Sequence, residues 1–417
     1  MITAITNCMQ TTLSPELDQQ LLSPAFYHNP YPLYAQLRQE TPVVWSERVG
    51  AWLITRYDDV LATLRDTQHF SSQGRMLAAL DRLSPDERAQ LQPFEQHFTG
   101  GLINADPPDH TRLRTLINKA FSPRMVEQLR QRVATLVNEF LDAVQDRGAM
   151  DVIADLAYPL PATVIAELLG APGADRERFK RWSEGIFAIQ GRGRLTFAQL
   201  AQAQEHLLAF RAYLRGLIAA RRERPHDDLL GQLVAVEMAG DRLSEAELLT
   251  TCVTLLTAGH ETTTNLIGNT LYTLFQHPDQ RQAIRQEPAL LPNAIEEVLR
   301  FESPLQRNPR RLAQDYEYAG QLMRKGDFVL QMLGSANRDP AIFPAADHFD
   351  SQRQPNRHVA FGFGLHFCLG APLARLEAPI AVQLMLERLP NLRLAQPTAP
   401  WLHHSLVRGL ASLAVVF

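Results

Sequence analysis

Cysteine is scarce in this chain: Cys8, Cys252 and Cys368 are the only three. That is too few for a disulfide framework and fits a reducing compartment. No stretch reaches the about 18 uninterrupted apolar residues that would mark a membrane-spanning helix. The opening MITAITNCMQTTLSPELDQQ lacks a basic region followed by an apolar one, so no secretory leader is expected. Neither sign of charge dominates, with 41 Lys and Arg against 45 Asp and Glu, which removes any global case for a nucleic-acid partner. Internal repeats and low-complexity linkers are absent too. These absences leave a cytoplasmic protein without a membrane anchor. What is present, 417 residues of which 45% are hydrophobic, supports one large domain or two ordinary ones.

Helical periodicity dominates. PYPLYAQLRQE, DDVLATLRD and DHTRLRTLINKAF are predicted helices. So is PRMVEQLRQRVATLVNEFLDAV after the N-cap candidate Ser122. Thr163 to Leu169 continues a helix stopped by Gly170 and Pro172, and further helices cover Phe197 to Arg224 and Pro292 to Phe301. Ser244 to Phe275 is the longest, with Ser244 and Glu247 as a capping box; its length suggests a central spine. Strand-like segments are few: VVWSERVGAWLITRY, YEYAGQLMRKGDFVLQML and the tail from LRLA to LAVVF. The expected class is mainly α, or α+β, with small antiparallel sheets to one side.

Within the longest helix, LLTAGHETTTN places an acid and an alcohol in an apolar context. A zinc-protease His-Glu-x-x-His fails, because Thr264 stands where the second histidine belongs. The plainer reading has threonines returning their hydroxyls to carbonyls four residues back, with Glu261 facing water.

The most specific stretch is HVAFGFGLHFCLGAPLARLE. A helical pattern begins at Leu369, so Cys368 lies at a helix N-terminus, where free N–H groups and the dipole favour a thiolate. Gly362 and Gly364 permit a tight turn against a flat object, and Phe361 offers an aromatic face. A lone cysteine after a glycine turn is as often inert and buried.

This stretch resembles the haem-ligand loop of the cytochrome P450 family, Phe-Gly-x-Gly-x-His-x-Cys-x-Gly, at Phe361, Gly362, Gly364, His366, Cys368 and Gly370. The resemblance implies a cytochrome P450 fold, with a long central helix over the haem, and Cys368 as axial thiolate of haem b. AGHETT resembles the family's oxygen-side motif. Ala258 and Thr262 share a helix face, small Ala258 and Gly259 would let the helix pass close over the haem, and Thr262 and Glu261 receive proton-delivery roles. Glu297 and Arg300 form Glu-x-x-Arg, a structural pair in the family, with Arg353 as third member. DPPDHTRLR assigns His110 and Arg114 to the haem propionates; Arg310 and His366 complete that set. The resemblance covers about residues 25 to 417 as a single catalytic domain, after a tail over 1–24 and without a fused reductase. Pro379 departs from the pattern; the cysteine helix is expected to bend there, or to break and restart.

The implied activity is that of a haem-thiolate monooxygenase hydroxylating a mostly apolar molecule such as a fatty acid, terpenoid, steroid or polyketide. Dioxygen is the co-substrate, and electrons come from a ferredoxin or flavodoxin with its NAD(P)H reductase. Arg112, Lys119, Arg124 and Arg375 are candidates for a basic landing patch, and a monomer is expected. The pocket is assigned to Leu102, Thr254, Leu255, Leu305 and Phe187, within walls spanning Arg75 to Ile103, Gly185 to Ala201, Leu305 to Pro309 and Ser405 to Val407. Arg307 is expected to be exposed, with a carboxylate-binding role as the alternative. A peroxide-driven peroxygenase and a non-catalytic haem sensor are the competing functions.

Overall fold

The computed structural model describes residues 11–75, 80–189, 195–238 and 243–417. Cys8 and parts of the walls predicted at 75–103 and 185–201 lie outside the described residues.

The spine is the helix Glu245–Gln276. Its start is set by the expected capping box: Ser244 Oγ accepts from the Glu247 amide, and the Glu247 carboxylate accepts from the Ser244 amide at 2.8 Å. Helices Pro159–Leu168, Arg176–Phe187, Phe197–Glu223, Leu291–Phe301 and Ala371–Arg388 all pack on it. Gly259 belongs to that packing. A Cβ there would stand 2.8 Å from Cδ1 of Ile165 on Pro159–Leu168. The residue therefore also lets these two helices approach.

The Ser122 cap is present, accepting from the Met125 amide. The single helix expected behind it is two, Pro123–Gln128 and Arg130–Gln145, joined at Leu129. Ala371–Arg388 runs 18 residues without interruption through Pro379, so the helix does not break and restart. Burial of its apolar face between the spine and neighbouring helices outweighs the one backbone bond that proline removes.

A five-stranded sheet lies to one side, in the order Val43–Ser46, Ala51–Ile54, Phe328–Gln331, Asn308–Leu312, Phe70–Ser71. Its pairings are antiparallel except that of Ala51–Ile54 with Phe328–Gln331. A smaller sheet joins Ala149–Asp151, Ala414–Val416 and Arg393–Leu394. Strands Phe70–Ser71 and Ala149–Asp151 were not anticipated. At two and three residues they are too short to show the alternation that marks a strand.

Candidate functional site

The middle of the spine helix carries an anomaly. Its neighbours on either side are buried, yet Ala258 is exposed and Thr254, Leu255, Gly259, Glu261 and Thr262 are half-buried. One face of a central helix thus opens onto space inside the fold. Thr262 Oγ1 donates to the Ala258 carbonyl at 2.8 Å, so that carbonyl is shared between its ladder and a hydroxyl. Burial, with the Glu184 charge adding to it, pushes the Glu261 carboxyl up to about 7. His260 turns away. It is fully buried, 3.4 Å from Ser183 Oγ and edge-on to Tyr158 at 4.1 Å between centroids. No group of metal-ligating side chains of the zinc type occurs among the described residues.

The cysteine loop leads into the helix Ala371–Arg388, which packs on the spine. Gly362 and Gly364 both take φ +70, in the left-handed region that the turn requires. The Cys368 amide closes the turn on the Phe361 carbonyl at 3.0 Å. The Arg375 guanidinium covers the Phe361 ring at 4.7 Å. Burial pushes the Cys368 thiol up, while the amides of Gly370 and Ala371 and the charges of Arg114 and Arg375 pull it down. The helix terminus and the two arginines thus favour the thiolate as expected, and burial opposes them.

Beside the loop, basic groups converge. His366 Nε2 lies 3.0 Å from Ser72 Oγ, and its ring is 4.2 Å from that of His110. Both ring nitrogens of His110 are buried without a partner. Arg310 and Arg75 both donate to Asn308 Oδ1, at 3.0 and 3.1 Å. Arg114 donates to the Phe367 carbonyl at 2.9 Å. Burial and mutual repulsion push Arg310 down to about 9 and His366 down to about 2. The nearest acid, Asp106, is already engaged by the Ser71 hydroxyl and the Ser72 amide. Cationic groups and unpartnered donors thus gather at one place, a donor set whose chemistry suits an anion. The sequence supplied His110, Arg114, Arg310 and His366. It missed Arg75, Asn308 and Ser72, which reach the cluster from separate segments and carry no local pattern.

Glu297, Arg300 and Arg353 form the expected buried triad. Arg300 donates to both Glu297 oxygens at 2.8 and 2.7 Å, and Arg353 Nε donates to Oε1 at 3.0 Å. Arg300 also donates to the carbonyls of Asn337, Ala346 and His348. The triad therefore pins Leu291–Phe301 to the segment leading into the cysteine loop.

Of the residues assigned to the pocket, Leu102 and Leu255 pack against the main apolar cluster and Thr254 is half-buried on the open face of the spine. Leu305 bridges Val407, and Phe187 stacks on His404 at 5.5 Å. The basic patch is less bare than expected. Arg112 pairs with Glu247, and Arg375 makes two bonds to Glu296 at 2.7 and 2.8 Å. Three exposed side chains of the cysteine loop, Phe363, Leu365 and Phe367, add an apolar component. Arg307 is 4% exposed rather than solvated.

The model of the family described as cytochrome P450 matches residues 78–400. The chain is 43% identical over 398 residues to cytochrome P450 107B1 of Saccharopolyspora erythraea, covering 94% of this chain and 96% of that protein. It is 40% identical over 408 residues to a cytochrome P450 of Bacillus subtilis, covering 96% of this chain and 97% of that one. Among solved structures, the myxobacterial cytochrome P450 CYP267B1 in complex with myristic acid superposes with a TM-score of 0.86 at 39% identity, covering 95% of this chain and 98% of that chain.

Proposed function

The chain belongs to the cytochrome P450 family, and from that premise we propose that Cys368 is the axial ligand of haem b in a monooxygenase acting on an apolar substrate. When bound, the haem supplies the iron centre at which dioxygen is activated, one oxygen atom entering a C–H bond and the other leaving as water. The observation that carries this reading is the basic cluster beside the cysteine loop. Arg75, Arg310 and His110 feel one acid only, Asp106, already engaged by Ser71 and Ser72, and Arg114 and His366 add to the same cluster; two propionates would complete them. The iron would hold the Cys368 sulfur as thiolate, adding to the Gly370 and Ala371 amides.

On the opposite side, the exposed face at Ala258 leaves room for the cofactor and substrate. The Glu261 carboxyl, held near neutral pH, keeps a proton in reserve. Thr262 Oγ1, four residues beyond Ala258, orients the donor toward the reacting face. Apolar walls at Leu102, Leu255, Leu305 and Phe187 exclude water and fit a mostly hydrocarbon substrate. The CYP267B1 complex with myristic acid supports that size and polarity.

No helix among the described residues is long and apolar enough to cross a membrane. We propose a cytoplasmic monomer, its catalytic domain spanning 25–417, that takes electrons from a ferredoxin or flavodoxin. The partner would dock on the cysteine-loop face, where Phe363, Leu365 and Phe367 are exposed and Arg65 lies 4.7 Å over the Phe363 ring. The test is the absorption spectrum of reduced, carbon-monoxide-treated holoprotein. The red-shifted Soret band of thiolate ligation is expected, with Cys368→Ser losing it. A band retained in the variant would show that another residue ligates the iron.

A further inference from the structure

Glu261 has no cationic partner. Among the described residues its carboxyl makes no ion pair or hydrogen bond, and the one charge that acts on it is that of Glu184. Glu184 belongs to Arg176–Phe187, which packs on the spine and on Pro159–Leu168. It is exposed, whereas Glu261 is half-buried. One carboxyl of the pair thus meets solvent and the other the interior.

Like charges repel, so something must hold these two acids near each other. Tyr158, the residue before Pro159–Leu168, does so. Its hydroxyl donates to Glu184 Oε1 at 2.9 Å, and its ring sits edge-on to His260, the residue before Glu261, at 4.1 Å between centroids. Burial, then Glu184, and more weakly Glu261 and Glu177, raise the Tyr158 phenol, so it remains an O–H donor. The other groups around the pair do not neutralise it. Lys180 Nζ lies over the Tyr158 ring, 4.9 Å from its centroid, and pairs with neither acid. Burial holds His260 down to about 4, so it is neutral at pH 7, with Nδ1 3.4 Å from Ser183 Oγ. A carboxyl that gives up a proton in every turnover must regain it from water. A cationic partner would fix it as an anion, whereas a neighbouring acid leaves it able to take the proton back.

We propose that Glu184 is a positioning residue for proton delivery: anchored by Tyr158, it is the solvent-side member of a carboxyl pair that refills Glu261. This rests on the monooxygenase reading above, with Glu261 as its proton reserve. Water supplies each proton. An O–H bond to Glu184 breaks as one to Glu261 forms, bulk water restores the first, and no electron moves.

The test is infrared spectroscopy of full-length holoprotein, as a pH titration and as a time course after a laser-driven drop in pH. A protonated-carboxyl band that is absent from Glu261→Gln should titrate near pH 7 in the unaltered protein. Glu184→Gln keeps an acceptor for Tyr158 and removes the charge and the exchangeable proton. It should move that titration down by about half a pH unit, roughly a threefold loss of proton affinity. It should also slow the refilling of Glu261 by about tenfold or more, with Glu184→Asp recovering most of the rate. Tyr158→Phe, which leaves the charge but frees it, should slow refilling by less. An unchanged refilling rate in Glu184→Gln would overturn the proposal, whether or not the titration moves. So would a slowed rate that Glu184→Asp does not recover, since a purely structural contact would behave that way. If Glu261→Gln removes no band, Glu261 holds no proton and the reserve itself is wrong, whereas a band lost there with Glu184→Gln silent sinks only the role of Glu184. The carbon monoxide band, recorded on every sample, separates both outcomes from a failure of the haem-thiolate reading.

Discussion

Glu377 is a carboxyl that the fold holds against its chemistry. It sits on the cysteine helix, 1% exposed, and neither carboxylate oxygen has a hydrogen-bond partner. Burial pushes it up to about 8. Its folded-state value lies above its unfolded one, so the native protein binds the proton more tightly. The associated stability is fully present below about pH 4.5 and is lost as pH rises through about 8. At 1.36 kcal/mol per pH unit, the loss reaches roughly 5 kcal/mol, about half of it between pH 6 and 8.5. For a chain of 417 residues, an unfolding entropy near 2.1 cal/mol/K per residue converts that half into about 3 °C of Tm. Glu377→Met keeps the volume and removes the titration. In thermal scans of holoprotein at the two pH values, Tm of the unaltered protein should fall about 3 °C further than that of the variant. Parallel falls would mean that Glu377 is solvated or paired, and the burial argument would be wrong.

Two other outcomes follow from the geometry. Thr262→Ala should fold normally, since the lost bond to the Ala258 carbonyl is worth about 1 kcal/mol. It should still raise the fraction of reducing equivalents released as hydrogen peroxide several-fold; unchanged coupling would remove Thr262 from proton delivery. Glu297→Gln leaves Arg300 and Arg353 buried beside a neutral amide, at a cost of about 3–5 kcal/mol. Haem content per chain should drop sharply, and a variant with normal haem content and Tm would show that the triad is dispensable.

Local chemistry made much of this protein legible in advance. A capping box needs only Ser244 and Glu247, three residues apart, so the start of the spine could be placed from the chain alone. The glycine turn before Cys368 and the Glu297–Arg300 spacing are likewise short-range patterns, and both occur as expected. Their meaning still came from a family resemblance, because a cysteine after a turn and an acid–arginine pair are each common by themselves.

Other features depended on partners distant in sequence. Gly259 answers to Ile165, and Arg75 meets Arg310 at Asn308. Pro379 is tolerated because its helix is packed on its neighbours. Arg307 shows the limit most sharply. Its neighbours in sequence are ordinary, and solvent exposure was the natural expectation. Periodicity, caps and turns are written within a few residues and belong to the sequence by itself. Burial and charge balance are sums over every segment that packs around a group, and only the tertiary structure decided them.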